Sequence, residues 1–548
     1  MSGIILVLVA VVFYLIAYRV YGKFISDRLE VKNERETPSH TMYDGVDYVP
    51  AKTPVLLGHH FASIAGAGPI VGPVIAAAFG WLPVYLWAMF GAVFIGGVHD
   101  YTTLLASIRH QSKSIGQIIE KYIGLSGKKL FLIFAWATLI LVIAVFILIV
   151  ADTFTNIPSA GTSSILFIAL AIVFGFSIYK LKVPLWLATI AGVSLLFFSI
   201  YLGGLIPLKL TKTEWEIILL IYVFIASVTP VWILLQPRDY LNSYFLYALM
   251  IGGIAGVFFA APEMNIPAYA TFTVDKVGYL FPALFVTVAC GAVSGFHSIV
   301  ASGTTAKQLD KETDAKPIGY GGMLIEGVLA VLALVAVASL GSGNFQSILA
   351  HKGPVAAFSI GVANFIESIP FLPVSAETAT TFVALAVAAF ALTSLDTATR
   401  LGRYVFQEYF EISGAENKQQ SFTSNRFTAT TVTVAAGALL TFSGQSMSIW
   451  PVFGSANQLL AALALLAITV WVAQLKKNYL FTLIPMIFMF AVTLTALGML
   501  FYRNMFINEN IALALISVLL FILAVMLGIK AYKVLMNGRN PNVEAAVN

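Results

Sequence analysis

Seven ionisable side chains interrupt stretches of this 548-residue sequence that are otherwise apolar. They are His59, His60, His99, Asp100, His297, Glu326 and Asp396. Histidines and desolvated carboxylates both exchange protons between about pH 5 and 8, and ionisable groups inside apolar runs are functional candidates by default. This set predicts a proton path or an inner gate. A structural ion pair is the alternative for each, and for Asp100 the partner would be Arg109 or Arg238.

Glu326 is the sharpest single candidate, because no basic residue lies within one helical turn of it. Its structural alternative is a pairing with a histidine or a hydroxyl on a neighbouring helix. Asp396, Arg400 and Arg403 follow one another at i, i+4 and i+7, which places them on one helix face. That spacing is consistent with an intrahelical ion pair or with a latch to another loop.

The stretch HHFASIAGAGPIVGP, residues 59–73, predicts a helix that is interrupted inside the membrane. Pro69 and Pro73 lack an N–H group and so free two carbonyls, while glycines remove the side chains that would crowd the gap. Such a break is tolerated where it is buried in protein or lines a wet cavity, and its half-helix ends suit ions and carboxylates. The substrate-site candidates in this stretch are Ser63, Gly66, Ala67, Gly68 and Gly72. A close helix-packing seam through Gly68 and Gly72 is the alternative.

A second break is predicted at Pro230, in the stretch SVTPVWILLQPRDYLN. It adds Thr229 and Trp232 to the predicted substrate site. The first break lies in the second apolar run, residues 55–79, and this one in the seventh, residues 215–236. The offset of five runs is odd, which makes the two copies run in opposite directions. Paired interrupted helices in inverted halves are the sequence pattern of an alternating-access transporter core. A channel or an intramembrane enzyme is the alternative at this level.

The composition places these motifs in a membrane protein. Hydrophobic residues make up 59% of the chain and charged residues only 10%, against about 25% charged in soluble domains. We count about 15 apolar runs long enough to cross a bilayer. If they alternate from an external N-terminus to a cytoplasmic C-terminus, only five of the 31 Lys and Arg residues fall outside. These are Lys209, Lys212, Lys276, Lys352 and Arg503.

The expected fold is therefore an all-α integral membrane protein with a five-plus-five inverted-repeat core. Residues 1–54 supply a first helix and a cytoplasmic loop, 55–205 and 215–400 the two repeats, and 401–548 a loop and additional helices. The apolar segment 354–369 is short and predicts a re-entrant or interfacial helix. Asn457 and Gln458 are expected to hydrogen-bond across helices. Ser298 is a candidate substrate ligand, although serines also satisfy the carbonyls of their own helix.

Enzyme signatures are missing from the sequence. It has no HExxH, P-loop lysine or GxSxG motif, and its single cysteine, Cys290, excludes an intramolecular disulfide. We expect no cofactor, no bound metal and no nucleic-acid partner; the net charge of +5 follows from the basic cytoplasmic loops.

Six motifs in order, HHFASIAGAGPIVGP, LLQPRDYLNSY, GFHSIVASGTT, GYGGMLIE, LDTATRLGRY and FGSANQLLA, resemble the carbon starvation protein A family. The resemblance runs from about Tyr48 to Leu460. It implies a carrier in the bacterial inner membrane, linked to the use of peptides and pyruvate, with a core similar to that of amino-acid/polyamine/organocation transporters.

Residues and resemblance together predict secondary-active uptake of a small nutrient, with proton-coupled pyruvate symport first. A di- or tripeptide transporter and a membrane sensor without net flux are the alternatives. Sodium coupling and a homodimer are left open.

Overall fold

Helices supply nearly all regular structure in this computed structural model, which describes residues 1–45, 47–230, 233–275, 277–410, 425–443 and 446–537. Helices satisfy every backbone hydrogen bond within the segment, as apolar surroundings demand. The helices are α1 Gly3–Leu29, α2 Pro38–Thr41, α3 Thr53–Ile64, α4 Gly68–Ala76, α5 Trp81–Gly91, α6 Gly97–Arg109, α7 Ile115–Ile123, α8 Leu125–Asn156, α9 Pro158–Tyr179, α10 Leu185–Leu205, α11 Lys212–Val228, α12 Leu235–Ala260, α13 Leu280–Thr287, α14 Gly295–Gly303, α15 Gly322–Ala338, α16 Ser342–Glu367, α17 Ala376–Phe410, α18 Arg426–Thr441, α19 Ser446–Gln474, α20 Leu480–Phe506 and α21 Ile511–Asn537. A two-stranded antiparallel ribbon, β1 Thr273–Val274 and β2 Gly278–Tyr279, precedes α13.

The all-α membrane architecture is confirmed, but the count of about 15 crossing helices is not. Eleven helices of the described chain are long and apolar enough to cross a membrane, or 12 if the bent pair α3 and α4 forms one span. The other three predicted runs fall on shorter elements. Helix α11 has 17 residues and α18 has 16. The third of these, the ninth run at residues 278–302, is divided between α13 and α14.

The predicted interruption of the second apolar run is confirmed. Helix α3 ends at Ile64, α4 begins at Gly68, and the two axes are bent by 47°. Pro69 stands in the first turn of α4, where its missing N–H costs nothing, and Pro73 lies inside α4 without ending it. The break is therefore narrower than the sequence indicated.

The seventh run behaves differently from its prediction. Helix α11 does end before Pro230, but Leu235, which we placed in the same span, begins the next helix. Trp232 lies outside the described residues. A second interrupted run occurs instead between α13 and α14, where residues 288–294 are not helical.

The two interruptions pack against each other. Gly68 of α4 lies against Cys290, and Gly72 lies against the backbone of Thr287, so a side chain at either glycine would overlap its neighbour. From Gly68 to Gly72 along α4, the contacted residues run back from Cys290 to Thr287. Helices α4 and α13 therefore run antiparallel. These glycines therefore form a close helix-packing seam and also belong to the interrupted run. The repeat boundaries 55–205 and 215–400 stay a prediction, but this antiparallel pair favours the ninth run as the counterpart of the second.

Helices α8 and α17 pack along one another, and α19 packs against both halves of the ninth run. Gly454 of α19 lies directly against the carbonyl of Val286 in α13, leaving no room for a Cβ. This contact brings the backbones of two helices unusually close.

We predict that Gly454→Ala destabilises the protein by about 1–3 kcal/mol, because overpacking at a backbone contact forces the helices apart. Gly498→Ala in α20 is the matched control, since a Cβ there meets nothing within 4 Å. Thermal unfolding of the detergent-purified variants measures both. Equal midpoints for the two variants would contradict the close contact.

Candidate functional site

A buried histidine stands between two buried carboxylates at the centre of the molecule. His297 Nδ1 lies 2.7 Å from Asp100 Oδ2, and His297 Nε2 lies 3.4 Å from Glu326 Oε2. All three side chains are 0% exposed. We call Asp100, His297 and Glu326 the acid–histidine cluster. It unites three of the seven ionisable residues predicted from the sequence, and Glu326 does pair with a histidine from another helix.

Irregular helix geometry positions this cluster. Asp100 lies in the first turn of α6, immediately after a π-helical turn at Ala92–Gly96. A second π-helical turn, Lys316–Gly321, precedes α15 and Glu326. His297 is in the first turn of α14, directly after the break. Such π turns shift side chains relative to a regular helix and occur frequently at functional sites.

The other predicted histidines surround the cluster unequally. His99 Nδ1 lies 2.7 Å from Asp100 Oδ1, so Asp100 faces two histidines. His60 Nδ1 lies 2.8 Å from the hydroxyl of Thr305, and its ring lies against Gly322, one turn before Glu326. His59 is half-buried beside it.

Several atoms of this region lack a hydrogen-bond partner among the described residues. They are Nε2 of His60, His99 and His297 and both carboxylate oxygens of Glu326. Buried polar atoms are normally satisfied, and unsatisfied ones in a native structure indicate a proton, water, ion or ligand that completes the site. These atoms are therefore candidates for contact with a proton or a small polar group.

Neither arginine proposed as a static partner of Asp100 fills that role. Arg109 Nε binds Glu312 Oε1 at 2.7 Å, and Arg238 pairs with Asp396. Asp100 is balanced by histidines instead, which unlike arginine can lose their positive charge. This distinction makes the cluster suitable for proton exchange.

Side chains satisfy the backbone that the second break frees. Trp450 Nε1 donates to Thr287 O and Trp87 Nε1 to Val288 O, both at 3.3 Å. Gln458 donates to Phe285 O. On the other side of the break, Asn457 Oδ1 accepts the N–H of Phe296 at 2.9 Å. The expected cross-helix bonding of the two amides is confirmed; the role of the tryptophans was not predicted.

The first break is less completely satisfied by side chains. Ser394 of α17 donates to Ser63 O at 3.3 Å, and Gly66 packs against Ser394. Ala67 stands at the N-cap of α4 and offers no side-chain cap. In the first turn of α4, Ile70 and Val71 donate to Ala67 O at 3.2 and 2.8 Å, and Pro69 has no N–H, so the Gly68 N–H is the one group there with no backbone acceptor among the described bonds. The helix dipole gives this end partial positive charge.

The predicted hydroxyl ligands mostly bond to their own helices. Ser63 donates to His59 O at 2.9 Å, Ser298 to Gly295 O at 2.7 Å and Thr229 to Ile225 O at 2.6 Å. Helix α11, which ends beside Thr229, packs on α8, α17 and α18. A shared substrate site of Thr229 with the first break stays a prediction.

A second charged network lies where α11, α12 and α17 meet. Asp396 of α17 pairs with Arg238 of α12 and accepts a 2.8 Å hydrogen bond from the hydroxyl of Tyr222 in α11. Asp396 and Arg238 are at most 1% exposed. We call these three residues the Arg238 network.

Of the two alternatives for Asp396, Arg400 and Arg403, the intrahelical ion pair is wrong. Arg400 Nη2 donates to the carbonyls of Ala226 and Thr229 at 2.9 and 2.7 Å, and Arg403 Nη1 to Ser227 O at 2.8 Å. Two arginines thus cap the C-terminal end of α11, where cations are stabilised by the helix dipole.

Comparison with known proteins supports the family resemblance. The family model described as "Carbon starvation protein CstA" matches residues 2–351 and 344–496. The chain belongs to the CstA family. A "Peptide transporter CstA" of Bacillus subtilis (strain 168) is 31% identical, with all of both chains covered. The "Pyruvate/proton symporter BtsT" of Escherichia coli (strain K12) is 31% identical, covering 92% of this chain and 82% of that one.

Among solved structures, an Eremococcus coleocola manganese transporter in complex with an aromatic bis-isothiourea substituted compound matches with a TM-score of 0.37 and 12% identity. The match covers 90% of this chain and 99% of that one. A likeness this low gives no information on mechanism.

In this CstA-family protein, Cys290 also approaches the acid–histidine cluster. Ligand atoms of Cys290, His297 and Glu326 lie within 4.8 Å of one another, which is the spacing of a metal site. The sequence did not indicate this grouping, because the three residues share no metal-motif spacing. The expectation of no bound metal stays a prediction.

We predict that Asp396→Asn destabilises this CstA-family protein by about 1.5–3 kcal/mol. The buried Arg238 guanidinium would lose one of its two carboxylate partners and keep Asp239, whose Oδ1 lies 3.3 Å from Arg238 Nη2. Arg238→Gln should cost more, because it leaves Asp239 and Asp396 both buried without this cation. Thermal unfolding in detergent compares the two. If Arg238→Gln is the more stable variant, the ion pairs do not hold these helices together.

Proposed function

We propose that this protein is a proton-coupled importer of pyruvate or a similar small monocarboxylate. The observation that carries the proposal is His297, held between Asp100 and Glu326 directly after an interrupted helix. The residues that carry the proton and form the inner gate are drawn from the acid–histidine cluster together with His59, His60, His99 and Asp396. The chain is a multi-pass membrane protein, and the proposal places its N-terminus outside and its C-terminus in the cytoplasm.

Burial makes proton exchange at the cluster depend on conformation. With both carboxylates ionised and His297 protonated, one negative charge remains in excess, apart from the neighbouring His99. Removing a further proton would leave more negative charge out of contact with water, which costs several kcal/mol. Exchange therefore requires water to reach the cluster. Because His297 belongs to α14, a movement at the break would open or close that access.

An anionic substrate fits beside this cluster only when the cluster is protonated. The N-terminal end of α4 lies against Cys290, and the Cys290 sulfur lies within 4.8 Å of the ligand atoms of His297 and Glu326. A carboxylate at the N-terminal end of α4 is attracted by the helix dipole and repelled by ionised Glu326. Protonation and substrate binding then favour each other, and by linkage each raises the affinity for the other. This is the thermodynamic basis of symport.

A peptide substrate is the second candidate. Several relatives, including one from Campylobacter jejuni that is 33% identical, are named peptide transporters. The carboxylates of Asp100 and Glu326 could anchor a peptide amine while the end of α4 holds its carboxylate. A peptide would thus use the same two binding points, the carboxylates and the end of α4, with a greater distance between them.

The test is uptake of labelled pyruvate into proteoliposomes with an imposed inward proton gradient and no sodium, in the presence or absence of dipeptides. Accumulation driven by the gradient and unaffected by dipeptides is the expected result. Dipeptide transport without pyruvate flux would show that the substrate is a peptide, and a strict need for sodium would show that sodium is the coupling ion.

We predict that Glu326→Gln abolishes gradient-driven accumulation but preserves pyruvate exchange, because the neutral amide imitates the protonated acid and cannot release a proton. Glu367→Gln, at an exposed position near the end of α16, is the matched control and should transport normally. Counterflow measured beside net uptake separates the two activities. Unchanged accumulation by Glu326→Gln would remove this residue from the coupling mechanism.

A further inference from the structure

A cavity of about 250 Å³ lies between α4, α8, α16, α19 and the start of α11. It is separate from the acid–histidine cluster, none of whose residues lines it. His60 precedes the first break, whereas Val71 and Ile75, which line the cavity, follow it. The cavity therefore lies beside the half of the interrupted run that follows the first break.

The inner wall of the cavity touches the elements that form both breaks. Val71 and Ile75 belong to α4 and are 1% and 3% exposed. Trp450 of α19 also lines the cavity, and its N–H holds the carbonyl of Thr287 at the end of α13. A molecule in the cavity would thus contact the half-helix that follows the first break and a side chain that holds the second.

The outer wall carries an excess of positive charge. Lys212, Lys352 and His351 line it, against one carboxylate, Asp152. Lys212 Nζ lies 2.8 Å from Asp152 Oδ1, so that pair is neutral overall and Lys352 adds a net positive charge. Clefts lined by one sign of charge raise the local concentration of oppositely charged solutes.

We infer that this cavity is a collecting site for small carboxylates, which bind there before they reach the break. The inference rests on the proposed function and assigns it a second, outer binding step. An apolar inner wall with a cationic rim suits an anion of a few carbon atoms, with the carboxylate at Lys352 and the carbon chain toward Val71 and Trp450. Lys352 would then be a specificity-determining residue at the first contact with substrate.

The kinetic test compares Lys352→Gln with Lys209→Gln, which removes the same charge from an exposed position outside this cavity. Loss of one exposed charge should raise the KM for pyruvate about two- to fivefold at low ionic strength, with little change in kcat. Lys352→Arg should restore the wild-type KM. An equal effect of both glutamine variants would reduce the effect to general surface charge and overturn the assignment.

The binding test uses Ala350→Cys, at an exposed position that lines the cavity and leaves Lys352 in place, because the natural Cys290 is buried and is the only cysteine of the chain. Pyruvate should slow maleimide labelling at position 350, whereas potassium chloride at the same concentration should not, and labelling of Lys209→Cys should be unaffected by either. This readout does not require transport. If wild-type protein accumulates no pyruvate, the proposed function fails; if it accumulates pyruvate but labelling is not slowed, the collecting site alone fails.

Discussion

The hydrogen bonds that side chains give to interrupted backbone are the interaction on which the rest of this structure depends. An unpaired carbonyl in apolar surroundings costs several kcal/mol, so a helix can be opened there only if other groups replace its internal bonds. Trp87, Trp450 and Gln458 do this at the end of α13, and Asn457 does it at the start of α14. Because α19 supplies three of these four side chains, it acts as the template for the second break. His297 owes its position beside Asp100 to that support.

Two buried charge networks in this protein differ in the kind of cation that balances their carboxylates. The Arg238 network contains a guanidinium that keeps its charge at every physiological pH, and so it can link helices but cannot pass a proton. The acid–histidine cluster contains imidazoles, whose charge is removable. The sequence placed Asp396 and Glu326 in one pool of candidates. The structure separates them by their partners, and this favours Glu326 over Asp396 as a proton carrier.

Sequence patterns predicted the features that local chemistry determines. Proline and glycine marked the first break, because a missing N–H is a property of the residue itself. The second break was missed because residues 288–294 contain glycine and small side chains but no proline, and their bonding partners come from α19. Spacing likewise indicated that Asp396 faces Arg400 on one helix. Asp396 pairs with Arg238 instead, because Tyr222 and Arg238 reach it from two other helices. Spacing along one helix cannot show such partners. For Glu326 the type of partner was anticipated, but the identity of His297 depends on how α14 and α15 pack.

The connections at the ends of the two broken runs suggest how they move. Before α3, the N–H of Ala51 donates to Gln308 O beyond α14 at 2.9 Å. After α4, the N–H of Leu82 donates to Ala268 O ahead of α13 at 3.0 Å. Backbone hydrogen bonds thus link the segment before α3 to the segment after α14, and the segment after α4 to the segment before α13.

These hydrogen bonds define two units, α3 with α14 and α4 with α13, which the non-helical residues of the breaks connect along the chain, and α19 packs against both units. His297 travels with the first unit, and the cavity wall at Val71 travels with the second. A relative rotation of the units would therefore change the surroundings of the cluster and of the cavity at the same time. Bending at residues 65–67 and 288–294 breaks few bonds within the helices, which are already interrupted there, but at the second break the bonds from α19 have to be kept or replaced. This arrangement favours alternating access by two-helix units hinged at the breaks over independent movement of single half-helices.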